Sequence, residues 1–314
     1  MKKSTIAVRG CAFGVLGLFG IAGCGDGSLS PSSTLSLGLV DAPISSATVV
    51  WVQFTGVEVK PVNGTVQTFD FSPAKGYDLL TLQNGNAAVL LDDTTVPAGD
   101  YEWIRLKIDP TPDSSYVEDD TGIHGLKIPS GIQSGVKLIK GFTMPAGGHG
   151  DFTIDFVLDK SIIAPPGLAP RYLMKPVLRM TNNVEVGTLE GTIDATAYAA
   201  NSGCTDGLPR VYLYQGASIA PDDIYNPEDD SEDSAPEVDP LVTTTATLNG
   251  SGGYDYHIGY VEAGTYTVAF TCDADDASID ENVDENMQPV DGLNFTVFPD
   301  PVIVAAGETT TAEF

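Results

Sequence analysis

The sequence predicts an all-β protein with two tandem antiparallel β-sandwich domains after a cleaved leader. Three observations support this fold class. The 314 residues include 34 Gly and 21 Pro, which separate many short apolar stretches. No stretch keeps the three-and-four residue spacing of apolar side chains that marks an amphipathic helix. The two halves also differ strongly in charge, which indicates two domains with different surfaces.

The charge difference sets a boundary near residue 181. Residues 24–181 carry 11 Lys and Arg against 17 Asp and Glu, whereas residues 182–314 carry one basic residue, Arg210, against 26 acids. We therefore predict domains over 35–181 and 182–314. An acidic surface repels phosphates, so no nucleic-acid partner is expected. Anionic lipid headgroups would also repel the second domain, which should stand off a bilayer.

The first 23 residues have the layout of a secretory signal. Residues 1–10 contain three basic residues and no acid, and an apolar run of eleven residues covers positions 11–21. A membrane-spanning helix needs about 20 residues, so a retained transmembrane anchor is the weaker interpretation. Cleavage without lipid attachment is the other alternative.

The segment Ile21-Ala22-Gly23-Cys24 resembles the lipobox of bacterial lipoproteins. The resemblance implies that residues 1–23 are removed and that Cys24 carries the lipid, which would anchor the protein to a membrane of the cell envelope. An aspartate directly after the cysteine would resemble an inner-membrane retention signal. Here Asp26 comes one place later, which favours the outer membrane.

Residues 24–34 are rich in Gly and Ser and predict a flexible tether. Strands follow immediately, since Leu35, Leu37 and Leu39 alternate with small residues. Further on, the alternating apolar residues occupy even positions up to Phe54 and odd positions from Val57. The switch falls at Gly56 and predicts a bulge within one long strand. Asn63-Gly64 predicts a hairpin turn. Seven or more short strands at this spacing indicate a sandwich.

Residues 35–180 also resemble an uncharacterised domain family of bacterial lipoproteins, DUF4382. The resemblance implies a secreted β domain and brings no known activity with it. The matching segments are Val40-Asp41-Ala42-Pro43, residues 52–59, Asp78-Leu79-Leu80, Pro97-Ala98-Gly99-Asp100-Tyr101, Ile104-Arg105-Leu106, Ile128-Pro129-Ser130, Ile154-Asp155-Phe156 and residues 173–177.

Residues 184–314 resemble the prealbumin-like sandwich of the carboxypeptidase regulatory-like domain. Such domains serve as spacers or binding modules. The resemblance is carried by the Gly-x-Tyr strand at Gly253, the Ala-Gly-x-Tyr turn at Ala263 and the closing Ala-Gly-Glu-Thr-Thr at Ala306.

Two cysteines remain in the mature chain besides Cys24. Cys204 and Cys272 form an even pair in an oxidising compartment, which favours a disulfide over two buried free thiols. Cys272 is in phase with Val268 and Phe270, so its side chain is expected to face the core.

Two acidic segments interrupt the second domain. Residues 222–239 have the composition of a disordered insert. Residues 273–291 form a second acidic loop, in which five aspartates could offer the oxygen ligands that calcium prefers. They are Asp273, Asp275, Asp276, Asp280 and Asp284. Neither register of this loop matches an EF-hand, and a solvated acidic loop is the alternative. No other cofactor is expected.

The sequence shows no catalytic constellation. His124, His149 and His257 lie in separate segments without metal-ligand spacing. Asp151 and Asp155 share one strand face and could act as acid and base, but the solvated face of an amphipathic strand is the favoured interpretation.

We therefore expect an envelope lipoprotein that is not an enzyme and that binds a protein or glycan or acts as structure. Calcium-dependent adhesion or glycan binding is one alternative, and a hydrolase with a loop-built site is the other.

Overall fold

The structure is a computed structural model. It describes residues 31–41, 44, 47–129, 135–163, 171–205, 207–224, 238–273 and 293–314. Within these residues strands dominate, and the all-β prediction is confirmed. No helix among them is long and apolar enough to cross a bilayer.

The first sandwich contains thirteen strands in the described residues. They are β1 (Ser32–Asp41), β2 (Val49–Pro61), β3 (Gln67–Asp78), β4 (Ala88–Pro97), β5 (Gly99–Ile108), β6 (Tyr116–Asp119), β7 (Gly122–Lys127), β8 (Val136–Leu138), β9 (Phe142–Met144), β10 (His149–Phe156), β11 (Ile162–Ile163), β12 (Arg171–Met174) and β13 (Leu178–Asn182). Short 3₁₀ turns lie at Leu79–Thr81 and Leu158–Lys160.

These strands form two sheets that face each other across one apolar core. The smaller sheet has the order β13-β10-β1-β4. The larger has the order β11-β12-β7-β6-β2-β5-β8, with β3 also paired to β2 and β9 to β5. Leu35, Leu37 and Leu39 of β1 point inward, as their alternation predicts, and pack in one cluster with Phe54 and Phe156. Each leucine removed from water in this way contributes about 2 kcal/mol.

The predicted bulge at Gly56 is confirmed. The pairing of β2 with both neighbours shifts register between Phe54 and Gly56, which keeps Phe54 and Val57 on the same buried face. A Cβ atom at Gly56 would lie 2.5 Å from the Phe69 carbonyl oxygen, so only glycine allows β3 to approach this closely. The predicted turn at Asn63-Gly64 joins β2 to β3.

The second sandwich is smaller. Its strands are β14 (Val186–Ile193), β15 (Arg210–Gln215), β16 (Val242–Thr245), β17 (Thr247–Leu248), β18 (Tyr254–Glu262), β19 (Gly264–Thr271), β20 (Thr296–Val297), β21 (Val302–Val304) and β22 (Thr309–Thr311). One sheet has the order β17-β18-β14-β22. The other has the order β16-β15-β19-β20, with β21 paired to β19.

A disulfide joins Cys204 and Cys272 at the edge of the second core, so this predicted pair is confirmed. Cys272 follows β19 and packs against the same cluster as Val268 and Phe270. Cys204 follows a short helix, α1 (Ala195–Ala200), that the sequence analysis did not predict. Asp194 caps this helix by accepting hydrogen bonds from the backbone N–H groups of Thr196 and Ala197.

The pairing is not wholly antiparallel. Three pairs are parallel: β1 with β10, β7 with β12 and β14 with β22. Strands of the first two sheets all end by Asn182 and those of the other two begin at Val186, although the described residues from 31 onward make one compact unit. The two-domain boundary and the prealbumin-like resemblance therefore stay predictions.

The disulfide should stabilise the second sandwich. It closes a loop of 68 residues, and the chain-entropy model gives about 4 kcal/mol for a loop of this length. We expect the double variant Cys204→Ala/Cys272→Ala to lose up to this amount of unfolding free energy, measured by urea denaturation. Equal stability of the variant and the oxidised protein would contradict the structural role assigned to the bond.

Candidate functional site

The outer face of the smaller first-domain sheet carries polar residues that are not solvated. On β10, Thr153 is 1% exposed and Asp155 7% exposed, and on the adjacent β13 Thr181 is 3% exposed. The prediction of a solvated strand face is therefore wrong for Asp155, whereas Asp151 is half-buried. The second sandwich covers these residues, and we call the contact region the junction.

An ion pair lies at the centre of the junction. Asp155 and Arg179 stand opposite each other in the β10–β13 register, and Arg179 Nη2 lies 2.7 Å from Asp155 Oδ2. The Nη1 atom of Arg179 also donates to the carbonyl oxygen of Leu241, which precedes β16 in the second sandwich, at 3.4 Å. One guanidinium therefore links both sandwiches, with the planar donor geometry that only arginine offers.

A strained tyrosine lies beside this pair. In the β14–β18 pairing the register shifts between Gly187 and Leu189, so β18 has an extra residue there. Tyr260 sits in this bulge with φ of 57°, a conformation that costs free energy for a bulky side chain. Burial raises the pKa of the Tyr260 phenol and Asp151 raises it further, while the Thr153 side chain partly offsets the rise. Tyr260 thus reaches β10 of the first sandwich.

The other side of the junction is made by the loop that follows Leu82. Thr244 Oγ1 donates to Asn84 Oδ1 at 3.1 Å. Gly85 has φ of +80°, and a Cβ there would lie 2.5 Å from His257 Nε2, so no larger residue fits between the sandwiches.

The junction encloses little free space. Its cavity measures about 30 Å³, which is room for one or two waters and none for an organic substrate. At its rim, Lys160 Nζ lies 2.7 Å from Asp239 Oδ1 and Lys140 Nζ lies 3.6 Å from Glu262 Oε1. These pairs join basic residues of the first sandwich to the acidic second one. These contacts hold the two sandwiches together.

An open groove of about 390 Å³ lies on the second sandwich beside the junction. Its walls carry three carboxylates and one imidazole, which would suit hydroxyl or cationic groups. All three carboxylates are already engaged. Asp255 accepts from Thr192 Oγ1 at 2.8 Å and Glu313 from Thr192 N at 3.1 Å, and Glu190 Oε2 lies 3.7 Å from His257 Nδ1. The four side chains are those of Glu190, Asp255, Glu313 and His257.

His124 belongs to a hydrogen-bonded turn between β6 and β7. Its Nε2 atom lies 2.8 Å from Thr121 Oγ1 and 3.1 Å from Asp119 Oδ1. A base that activates a hydroxyl is oriented by a carboxylate on its other ring nitrogen. Here both partners share one nitrogen, so the arrangement fits a structural turn. His149 contacts Thr34 and Asp93 at the surface.

The remaining predicted site residues are those of the lipid anchor and of the calcium hypothesis. Cys24, Asp275, Asp276, Asp280 and Asp284 lie outside the described residues. Asp273 is described, and its Oδ2 atom accepts hydrogen bonds from Asn294 N at 2.6 Å and Nδ2 at 2.9 Å. No group of three or more metal-ligating side chains is assembled within the described ranges. The calcium hypothesis stays a prediction.

Removal of Arg179 should uncouple the two sandwiches. The variant Arg179→Ala leaves Asp155 at the junction without its cation. Removing one partner of a fully buried ion pair costs roughly 3–5 kcal/mol of unfolding free energy. We expect a somewhat smaller loss of unfolding free energy here, because part of Arg179 remains exposed. Both tryptophans, Trp51 and Trp103, lie in the first sandwich, so their fluorescence reports its unfolding alone. Susceptibility of the Cys204–Cys272 bond to reductant reports the second.

The two probes should give one shared urea midpoint in the wild type and separate midpoints in Arg179→Ala. The control is Arg105→Ala, which breaks an ion pair with Glu58 of the same 2.7 Å length inside the first sandwich. That variant should lower the shared midpoint without splitting it. Coincident midpoints in Arg179→Ala would contradict the assigned coupling.

The β6–β7 turn should make stability depend on acid pH. Hydrogen bonds from the hydroxyls of Thr121 and then Tyr172 hold the pKa of Asp119 well below its usual value. The ionised Asp119 carboxylate therefore stabilises the folded state at pH values above its unfolded-state pKa near 4. This stabilisation is lost as pH falls toward the lower folded-state pKa. We expect Asp119→Asn to cost on the order of 2 kcal/mol at neutral pH and to flatten that acid dependence. Asp120→Asn, the charge-matched neighbour, should leave the pH profile of the urea midpoint unchanged.

The comparisons with known proteins support part of the sequence analysis. Residues 32–176 match the family model described as a domain of unknown function, DUF4382. The match covers somewhat less than half of the chain and agrees with the resemblance found in residues 35–180. No curated protein matches the chain.

Solved structures give only weak likenesses. The minor pilin GBS52 of Streptococcus agalactiae is 10% identical with a TM-score of 0.17, covering 90% of this chain and 94% of the pilin. A proposed cell adhesion protein of Bacteroides fragilis is 10% identical with a TM-score of 0.20, covering 89% and 92%. One from Parabacteroides distasonis is 10% identical with a TM-score of 0.21, covering 90% and 98%. At these scores the likenesses carry no argument about function.

Proposed function

We propose that the protein is an envelope lipoprotein, held to a membrane through Cys24, whose joined sandwiches form a non-enzymatic binding or structural module. The observation that carries this proposal is the junction. Polar residues of both domains are buried there around the Arg179–Asp155 pair, in a space of about 30 Å³. Such a contact holds two domains in one orientation, which suits a rigid module presented outward from a membrane.

Four side chains that were candidates for a hydrolase, two carboxylates and two cysteines, are bonded within the protein. Asp155 is neutralised by Arg179, and Asp151 Oδ1 accepts from Asn183 Nδ2 at 2.8 Å. These bonds place the two carboxylates in separate roles. Cys204 and Cys272 bond to each other. The groups therefore act on the protein itself, which supports a module over an enzyme.

The proposed partner is an envelope protein or a glycan. The second sandwich has one basic residue against 26 acids over residues 182–314, so self-repulsion keeps it soluble and turns away anionic polymers. Its open groove presents carboxylates and the His257 imidazole, which suit neutral hydroxyl-rich or basic partners. The outer membrane is the proposed location.

The anchor can be tested by labelling cells with radioactive palmitate. The wild type should incorporate label and sediment with membranes. Cys24→Ser should incorporate none and should appear either in the soluble fraction or as an uncleaved precursor. Cys11→Ser is the matched control, because it removes a cysteine of the leader and should leave both labelling and fractionation intact. Label that persists in Cys24→Ser would overturn the anchor assignment.

A further inference from the structure

The start of β1 identifies the end of the first sandwich nearest to the tether. There, β1 pairs with the last residue of β4 and with the first residues of β10. Ala98 N donates to the Pro31 carbonyl and Gly147 N to the Ser32 carbonyl, both at 2.8 Å. The loops 97–99 and 145–148 therefore flank the point where the chain enters the fold.

A third loop lies at the same end. Residues 61–66 join β2 to β3, and Val62 N donates to the Asp100 carbonyl at 2.9 Å. Asp100 follows the loop 97–99 and lies in β5. At this point β5 pairs with β9, the strand that ends just before loop 145–148. We call the surface made by loops 61–66, 97–99 and 145–148 the tether-side end.

The tether-side end carries no charge in its loops. They read Pro-Val-Asn-Gly-Thr-Val, Pro-Ala-Gly and Pro-Ala-Gly-Gly. Val62 and Val66 are 44% and 41% exposed. The charged residues beside these loops make local bonds: Lys60 Nζ donates to the backbone carbonyls of Pro61 and Gly64 at 2.8 Å, and the exposed Asp100 carboxylate accepts from Thr143.

The turns at the opposite end of the same sandwich are acidic. Glu118 of β6 pairs with Val49 at the start of β2, whereas the tether-side loop follows Pro61 at the other end of that strand. The turns at this opposite end, 109–115 and 119–122, contain Asp109, Asp113, Asp119 and Asp120. The turns at the opposite end therefore carry acids, whereas the three loops of the tether-side end carry none.

The proposed anchor keeps the uncharged end close to a bilayer. Seven residues, 24–30, separate the lipid attachment at Cys24 from Pro31. A fully extended chain spans at most about 3.6 Å per residue, so this end can stand no more than about 25 Å from the lipid attachment point. An anionic headgroup surface repels acidic loops and leaves neutral ones unopposed.

We propose that the tether-side end rests against the lipid headgroups of the membrane that holds Cys24. This inference rests on the proposed lipid anchor. Two half-exposed valines and a few Pro and Ala side chains give a small apolar contact, which is weak by itself. The anchor makes the contact intramolecular in effect, so a high local concentration compensates for the low affinity. The lipid-free protein should accordingly not bind vesicles.

The test places a fluorophore at each end of the sandwich. Native cysteines of the mature chain are occupied in this proposal, so one new cysteine gives one labelling site. Val62→Cys and Ala146→Cys report the tether-side end, and Ile123→Cys, 68% exposed, reports the opposite end. Lipidated protein carrying each labelled variant is reconstituted in vesicles of phosphatidylethanolamine and phosphatidylglycerol that contain a nitroxide headgroup lipid, and quenching is measured after flotation.

We expect strong loss of fluorescence at positions 62 and 146 and little at 123. Adding Val62→Asp to Ala146→Cys should reduce quenching at 146, because it brings an acid to the headgroups. Vesicle-bound protein with equal quenching at all three positions, or more at 123, would overturn the inference and leave the anchor standing. A fluorophore at position 62 that is shielded from solvent but not quenched by the nitroxide lipid would indicate that a second copy of the chain covers this end. That result would also overturn the inference. Failure to float would overturn the anchor proposal itself.

Discussion

The arrangement of the two sandwiches depends on one partly buried ion pair. Asp155 and Arg179 lie on adjacent strands of the first sandwich, and the same guanidinium reaches the Leu241 carbonyl of the second. Two charges removed from water attract each other strongly only when their geometry is good, and either one alone is costly to bury. The second sandwich cannot slide across this face without exposing or orphaning one of them. We infer that the pair defines the orientation of the domains more than it adds to their stability.

The backbone adapts to this contact in two places. At Gly85 the close approach of His257 leaves no room for a side chain. At Tyr260 an extra residue in β18 breaks the ladder and places a tyrosine in a left-handed conformation. The left-handed conformation of Tyr260 costs conformational free energy, whereas glycine adopts a positive φ freely, and both residues lie where one sandwich meets the other. Their position indicates that the junction is a built part of the fold, because such strain persists only where surrounding contacts hold it.

Local patterns in the sequence predicted the strands well. The alternation of Leu35, Leu37 and Leu39 and the parity switch at Gly56 are consequences of the two-residue repeat of a strand, which any reader of the sequence can see. The disulfide was predicted from the expected oxidising compartment and the even number of cysteines.

The junction was missed for a physical reason. Alternation shows that Asp155 and Thr153 lie on the polar face of β10, but it does not show what covers that face. The parallel pairs of β1 and β10 were also out of reach, since their partners are more than 100 residues apart.

A polar junction has a consequence for how the module can be used. Thr153, Thr181 and Asp155 are polar, so water could solvate them if the second sandwich did not cover this face. Once docked, the same residues hold the second sandwich firmly because the enclosed space admits only a water or two. Any surface that orients the first sandwich therefore orients the acidic second one as well.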